Sequence, residues 1–191
     1  MIIASLAGYG LARIPYRFSN AVFYAIVATL MIPSAVTFLP SFILVSYLNW
    51  TSTLQGIIVP VLFSGFSAFL FRQYFLNFPR ELEEAGRVDG LGYFGAYLRI
   101  VVPNSLGFFA AIAVIDFVAS WNAFLWPLVI GSGSDGSTTV QVALSSFITA
   151  QNVQFQELFI AAAISLLPLL FVFVFLQRYL VEGVAQTGIK G

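Results

Sequence analysis

Polar residues in this chain gather in a few narrow bands between long apolar blocks, and the blocks are long enough to set the structure by themselves. Residues 2–12 (IIASLAGYGLA) are apolar but reach only about half of the ~20 residues that a helix needs to cross a bilayer. They read as the latter part of a spanning helix, a partial span over 1–13. A signal peptide would carry a basic stretch ahead of its apolar core, and none precedes this one. Residues 21–47 form the next block, long enough to cross ~30 Å of hydrocarbon at ~1.5 Å per residue, with Pro33 and Pro40 predicting a bend that other helices cover. A polar turn, Asn49 to Thr53, places Trp50 at interfacial depth. A third block over 54–76 holds Pro60 and the small residues Ser64, Gly65, Ser67 and Ala68, which suit close helix approach in lipid. Arg72 lies near its end, where it can snorkel to headgroups. A fourth block covers 104–130. Residues 131–156 are too rich in Gly, Ser, Thr and Gln to cross and are expected outside, with a short surface helix over 140–150. The last block, 157–177, contains Pro168 and leads into a polar tail.

One band stands apart. Residues 79–103 (PRELEEAGRVDGLGYFGAYLRIVVP) carry three of the 8 basic and four of the 8 acidic residues in the chain. Pro79 suits the first turn of a helix, and Asn77 just ahead is placed to cap it. Glu81, Glu83 and Glu84 fall where the helix dipole favours anions. The spacings Arg80–Glu84 and Glu84–Arg87 predict surface ion pairs. Gly90 is the expected helix stop, because glycine tolerates the left-handed conformation. A second short helix is predicted over 91–99, with Pro103 opening the next membrane helix. Ala85 and Gly86 leave a bare patch where a partner's backbone can approach.

Composition narrows the function classes. The chain is 60% hydrophobic and 8% charged, with a mean hydropathy of +0.95, far from the roughly 25% charged residues of a soluble domain. It reads as all-α, a polytopic helical bundle in membrane lipid. A net charge of zero offers no footprint for nucleic acid. Without cysteine there are no disulfides or thiolate chemistry, and without histidine the commonest general base and zinc ligand are missing. An intramembrane enzyme therefore lacks a catalytic set, and Asp116 has no second acid at comparable depth for an aspartyl dyad. No phosphate-cradling loop is present, since the one lysine, Lys190, is followed only by Gly191.

The basic residues also set orientation. Arg13 and Arg17 mark one boundary, Arg72, Arg80, Arg87 and Arg99 the next but one, and Arg178 and Lys190 the last. Alternating spans put these three zones on one side, so the 79–103 band and the tail are expected in the cytoplasm.

The band resembles the signature of permease subunits of binding-protein-dependent ABC importers: E-A-A, three residues, G, nine residues, I-x-L-P. Glu84, Ala85, Gly90, Ile100 and Pro103 fill their places at the right spacing, while Gly86 stands for the second alanine and Val102 for the leucine. The phrases MIPSAVTFLP, SWNAFLWPL and FLQRYLVEGVAQTGIKG resemble the carbohydrate-uptake branch, in the maltose-transporter style. This resemblance implies a type I ABC importer permease fold, here as a single transmembrane permease domain of about four full spans and a partial one, truncated at its N-terminus. It implies a cytoplasmic coupling segment that docks in a groove of the ATPase, with Glu84, Ala85, Gly86, Asp89 and Gly90 at the joint. The partners it implies are ABC ATPase subunits, a second permease subunit and an extracytoplasmic solute-binding protein. ATP is used by the partner ATPase, and no cofactor is expected on this chain. The cargo it implies is a sugar or oligosaccharide moved by alternating access; a non-sugar solute, or a membrane assembly protein without transport, is the alternative. Gly188 to Gly191 are placed to reach the ATPase.

Within the fourth block, Asp116 is the one acid well inside a span, where a charge costs roughly 2.5–3.5 kcal/mol on insertion scales. It is expected to face the bundle interior, either on the translocation path or satisfied by Ser120. Trp121, Asn122 and Trp126 can stack on and hydrogen-bond a sugar, or pack between helices.

Overall fold

A computed structural model describes residues 1–131, 138–148 and 154–188, with side chains as far as Gln177. Among the described residues the regular elements are helices: α1 (Ile2–Arg13), α2 (Ser19–Leu30), α3 (Ser34–Tyr47), α4 (Leu54–Ile58), α5 (Gly65–Asn77), α6 (Arg80–Val88), α7 (Tyr93–Asn104), α8 (Leu106–Trp121), α9 (Leu125–Gly131), α10 (Val140–Ser145) and α11 (Phe155–Gly188). Phe155–Gln177 within α11 is long and apolar enough to cross a membrane as one helix. Counting each bent helix pair as one span gives up to four, and Ile2–Arg13 is a shorter apolar helix.

Prolines and glycines account for the interruptions. Residues 21–47 break at Met31–Pro33, where Pro33 adopts an extended conformation ahead of α3, while Pro40 lies inside α3 without ending it. Around Pro60 the backbone tightens to a 3-10 turn, Val59–Val61, and α5 starts afresh after Ser64, whose hydroxyl accepts the Ser67 amide at 3.1 Å. Pro103 does not open the long helix as the sequence predicts. It sits in the last turn of α7, which begins at Tyr93, passes through a π-turn at Tyr97–Val101, and ends at Ser105, where the chain bends by 84° into α8. The wide π-turn relieves the missing proline donor without breaking the helix.

The chain forms two compact units. The first comprises residues 1–32, 63–113 and 176–191. Its core is the α5 stripe Ala68, Phe71, Phe75 and Phe78, spaced at helical intervals and closed over by Ala4, Tyr9, Tyr97, Val101 and Ile112. Helix α1 lies against α5 at Gly8, where a Cβ would stand 2.6 Å from Phe71 Cβ and 2.8 Å from the Arg72 amide nitrogen, so only glycine permits this crossing. The second unit comprises residues 33–62 and 114–175. There α4 meets α9: the Ser52 amide donates to the Ile130 carbonyl at 2.7 Å, and a Cβ added at Gly56 would clash with the Trp50 carbonyl and stand 3.0 Å from Ile130 Cγ2. Residues 132–137, 149–153 and 189–191 fall outside the described residues, and with them parts of the expected external loop and most of the terminal stretch expected to reach an ATPase.

Candidate functional site

The charged band folds as two helices around one sharp corner. Pro79 stands immediately before α6, and Glu81 and Glu83 occupy the first turn, where exposed amides attract carboxylates. Asn77 is not the cap that the sequence predicts: it lies in the last turn of α5, on the far side of the Phe78–Pro79 corner, and its Nδ2 donates to the Gln73 carbonyl at 2.9 Å. Helix α6 ends at Gly90, whose φ of +84° is left-handed. The Gly90 amide donates to Arg87 at 3.0 Å and the Leu91 amide to Gly86 at 2.9 Å, the two crossed bonds of a Schellman ending.

Two adjacent glutamates point opposite ways. Glu84 is exposed, and the predicted pairs with Arg80 and Arg87 do not form. Arg87 instead lies over the Tyr93 ring, 4.7 Å from its centre, which draws the guanidinium away from Glu84. Glu83 is buried: it accepts from the Tyr9 hydroxyl at 2.9 Å through Oε2 and pairs with Arg13 Nε at 2.9 Å through Oε1, both charged side chains being under 5% exposed. Arg13 also donates to the Phe78 carbonyl, so one guanidinium holds both α6 and the corner before it. One turn back on α1, Ser5 shares a 2.7 Å hydrogen bond with the Tyr97 hydroxyl of α7. Tyr9 packs edge-on to Phe75 at 5.7 Å and tilted against Tyr97 at 5.1 Å.

Sequence reasoning treated Arg13 only as a boundary marker and did not single out Ser5, Tyr9, Glu83 or Tyr97 as a set. A signal was present. Ser5, Tyr9 and Arg13 recur every four residues, a polar stripe along a helix otherwise built from apolar and small residues.

The bare patch differs from expectation in one half. Ala85 is exposed, but Gly86 is buried beneath Ile100 Cδ1 and near Leu91 Cδ1, so the missing side chain serves the packing of α6 on α7 and not an incoming partner. Asp89 and Gly90 are exposed at the corner.

The other four sequence candidates lie in the second unit. Asp116 is half-buried on α8. Trp121 is half-buried and stacks on Phe117 at 5.6 Å. Asn122 is exposed, donating to the Val118 carbonyl at 2.9 Å and accepting from Gln141 at 3.4 Å. Trp126 donates Nε1 to the Gly56 carbonyl at 3.2 Å and meets Phe38 edge-on at 5.6 Å, so its polar atom is used in helix packing.

Comparison with known proteins fits this geometry. Residues 1–186 match the family described as binding-protein-dependent transport system inner membrane component. The chain is 32% identical over 191 residues, all of its own length and 68% of the relative's, to the arabinooligosaccharides transport system permease protein AraQ of Bacillus subtilis (strain 168). It is 34% identical over 183 residues to the lactose transport system permease protein LacG of Rhizobium radiobacter, covering 96% of this chain and 67% of that one. It is 32% identical over 187 residues to the sn-glycerol-3-phosphate transport system permease protein UgpE of Yersinia enterocolitica, covering 97% and 66%. The fold superposes with a TM-score of 0.81 on the crystal structure of a bacterial ABC transporter involved in the import of the acidic polysaccharide alginate, at 21% identity over 93% of this chain and 69% of that one.

Proposed function

Because this chain belongs to the binding-protein-dependent transport system inner membrane components, we propose that it is a membrane-spanning permease subunit of an ATP-driven importer for a sugar or oligosaccharide. The observation that carries the reading is the division of labour on α6. The Glu84 and Ala85 side chains face outward with no partner among the described residues, at the corner made by Asp89 and Gly90. Glu83 fastens the same helix from beneath. A helix that must transmit a push needs a free face for the driving subunit and a stiff attachment to the membrane helices, and α6 has both.

In this reading ATP binding closes two ATPase subunits, and their motion reaches α6 through a groove that takes Glu84. The movement passes to α1 and α5 by way of Glu83, Arg13 and the Phe78 carbonyl. The permease pair then opens outward to receive solute from a docked extracytoplasmic binding protein. The convergence of Arg13, Arg72, Arg80 and Arg87 on one cleft supports a common, cytoplasmic side for the first two basic zones. Asp116 and Trp121 remain proposed contributors to the translocation path. Asn122 is a weaker one, and Trp126 is proposed only as packing at its edge.

The saccharide class is supported by the names of the arabinooligosaccharide and lactose relatives. The glycerol phosphate relative favours a second reading, a polar non-sugar solute. The test co-expresses the chain with ATPase, second permease and binding-protein subunits and measures ATPase recovery. Wild type should retain the ATPase, and Glu84→Lys and Gly90→Pro should lose it while still inserting in the membrane. Equal recovery from all three would reduce α6 to a connector and leave an assembly role without transport.

A further inference from the structure

Beside α6 lies a cleft of about 480 Å³ in the first unit, and its charge is one-sided. Arg13, Arg72, Arg80 and Arg87 line it, against Glu83 and Glu84. Glu83 is committed to Arg13. Even so, Arg13 Nη1 is buried without an acceptor among the described residues, as is Nε of Arg72. Arg72 is held in place, lying 3.8 Å over the Phe23 ring with Nη2 donating to Asn20 at 3.3 Å, so its free N–H is fixed in direction. Arg80 is exposed at the rim with no ion-pair partner among the described residues, and Arg87 is stacked on Tyr93.

Buried guanidinium donors without acceptors are costly, and the side chains that carry them belong to residues lining a cleft with an excess of positive charge. We infer that the cleft binds a phosphate-bearing anion, gripped by Arg13 and Arg72 at its base and by Arg80 and Arg87 at its mouth. Guanidinium groups match phosphate oxygens in pairs, and four of them around one cavity exceed what two carboxylates neutralise. Because the chain is an inner membrane component, the phosphate of an anionic phospholipid headgroup is one source and free inorganic phosphate the other. The inference rests on the cleft and is independent of whether Glu84 docks an ATPase.

The test uses the full chain in nanodiscs of phosphatidylcholine with or without phosphatidylglycerol, followed by detergent extraction and native mass spectrometry of retained lipid. A parallel arm measures binding of radiolabelled inorganic phosphate to the detergent-purified chain. Arg80→Gln/Arg87→Gln removes two exposed charges at the mouth, and Arg72→Gln removes one from the base. Selective retention of phosphatidylglycerol, weakened about tenfold in each variant, identifies the lipid source. Saturable phosphate binding with the same variant pattern, and no lipid selectivity, identifies the free anion. Retention of neither, or equal retention by wild type and both variants, overturns the site.

Discussion

At the scale of single residues, Glu83 and Glu84 make the sharpest contrast in the molecule, because adjacent positions with the same side chain answer to different physics. Glu83→Ala would leave Arg13 buried without its counter-charge, a loss of roughly 3–5 kcal/mol. Thermal unfolding in detergent should therefore show a marked drop. Glu84→Ala removes no ion pair or hydrogen bond among the described residues, so its melting temperature should stay at the wild-type value while ATPase recovery falls. If both variants melted alike, the inward and outward assignment would be wrong. Tyr9→Phe removes a single hydrogen bond to a charged group and should cost about 1.5–3 kcal/mol, short of the Glu83→Ala loss. Helical spacing in the sequence put three glutamates at one helix start. Which of them turned inward depended on Arg13, 70 positions away in the chain, and no local rule reads that distance.

Helix packing decides the next level. The α1–α5 crossing allows no side chain at Gly8, where an added Cβ meets backbone as well as Phe71. Gly8→Ala should destabilise by about 1–3 kcal/mol, and limited proteolysis should cut earlier in the α1–α2 connection. Gly86→Ala presses on the flexible ends of Ile100 and, less closely, Leu91, and the family signature has alanine at this position. It should be nearly silent, and Ile100→Val should relieve whatever cost it has; a large loss at Gly86 with no relief would mean that α6 and α7 cannot shift. The elements themselves were legible where glycine and proline punctuate the chain, as at Gly90 and Pro33. They were misread at Pro103, because a π-turn upstream absorbs the missing donor and moves the break to Ser105.

For the whole molecule, the coupling role of α6 depends on which side of the membrane it faces. These 191 residues contain no cysteine, so a single Val88→Cys at an 88% exposed position on α6 gives a clean label. A membrane-impermeant maleimide should modify it in inside-out vesicles and spare it in intact cells, with Ser52→Cys showing the reverse. The opposite pattern would invert the topology and remove α6 from reach of an ATPase.

The sequence by itself determined the helical class, the membrane setting and the family, because block hydropathy and a spaced signature are local properties of the chain. It also placed the corner at Gly90, since only glycine adopts that φ without strain. Tertiary structure alone decided which face of α6 is free, that Gly86 is an internal contact, and that arginines from α1, α5 and α6 share one cleft. Those outcomes depend on side chains far apart in sequence meeting across helices. Burial then fixes their partners, because a charge withdrawn from water must find its counterpart in the fold.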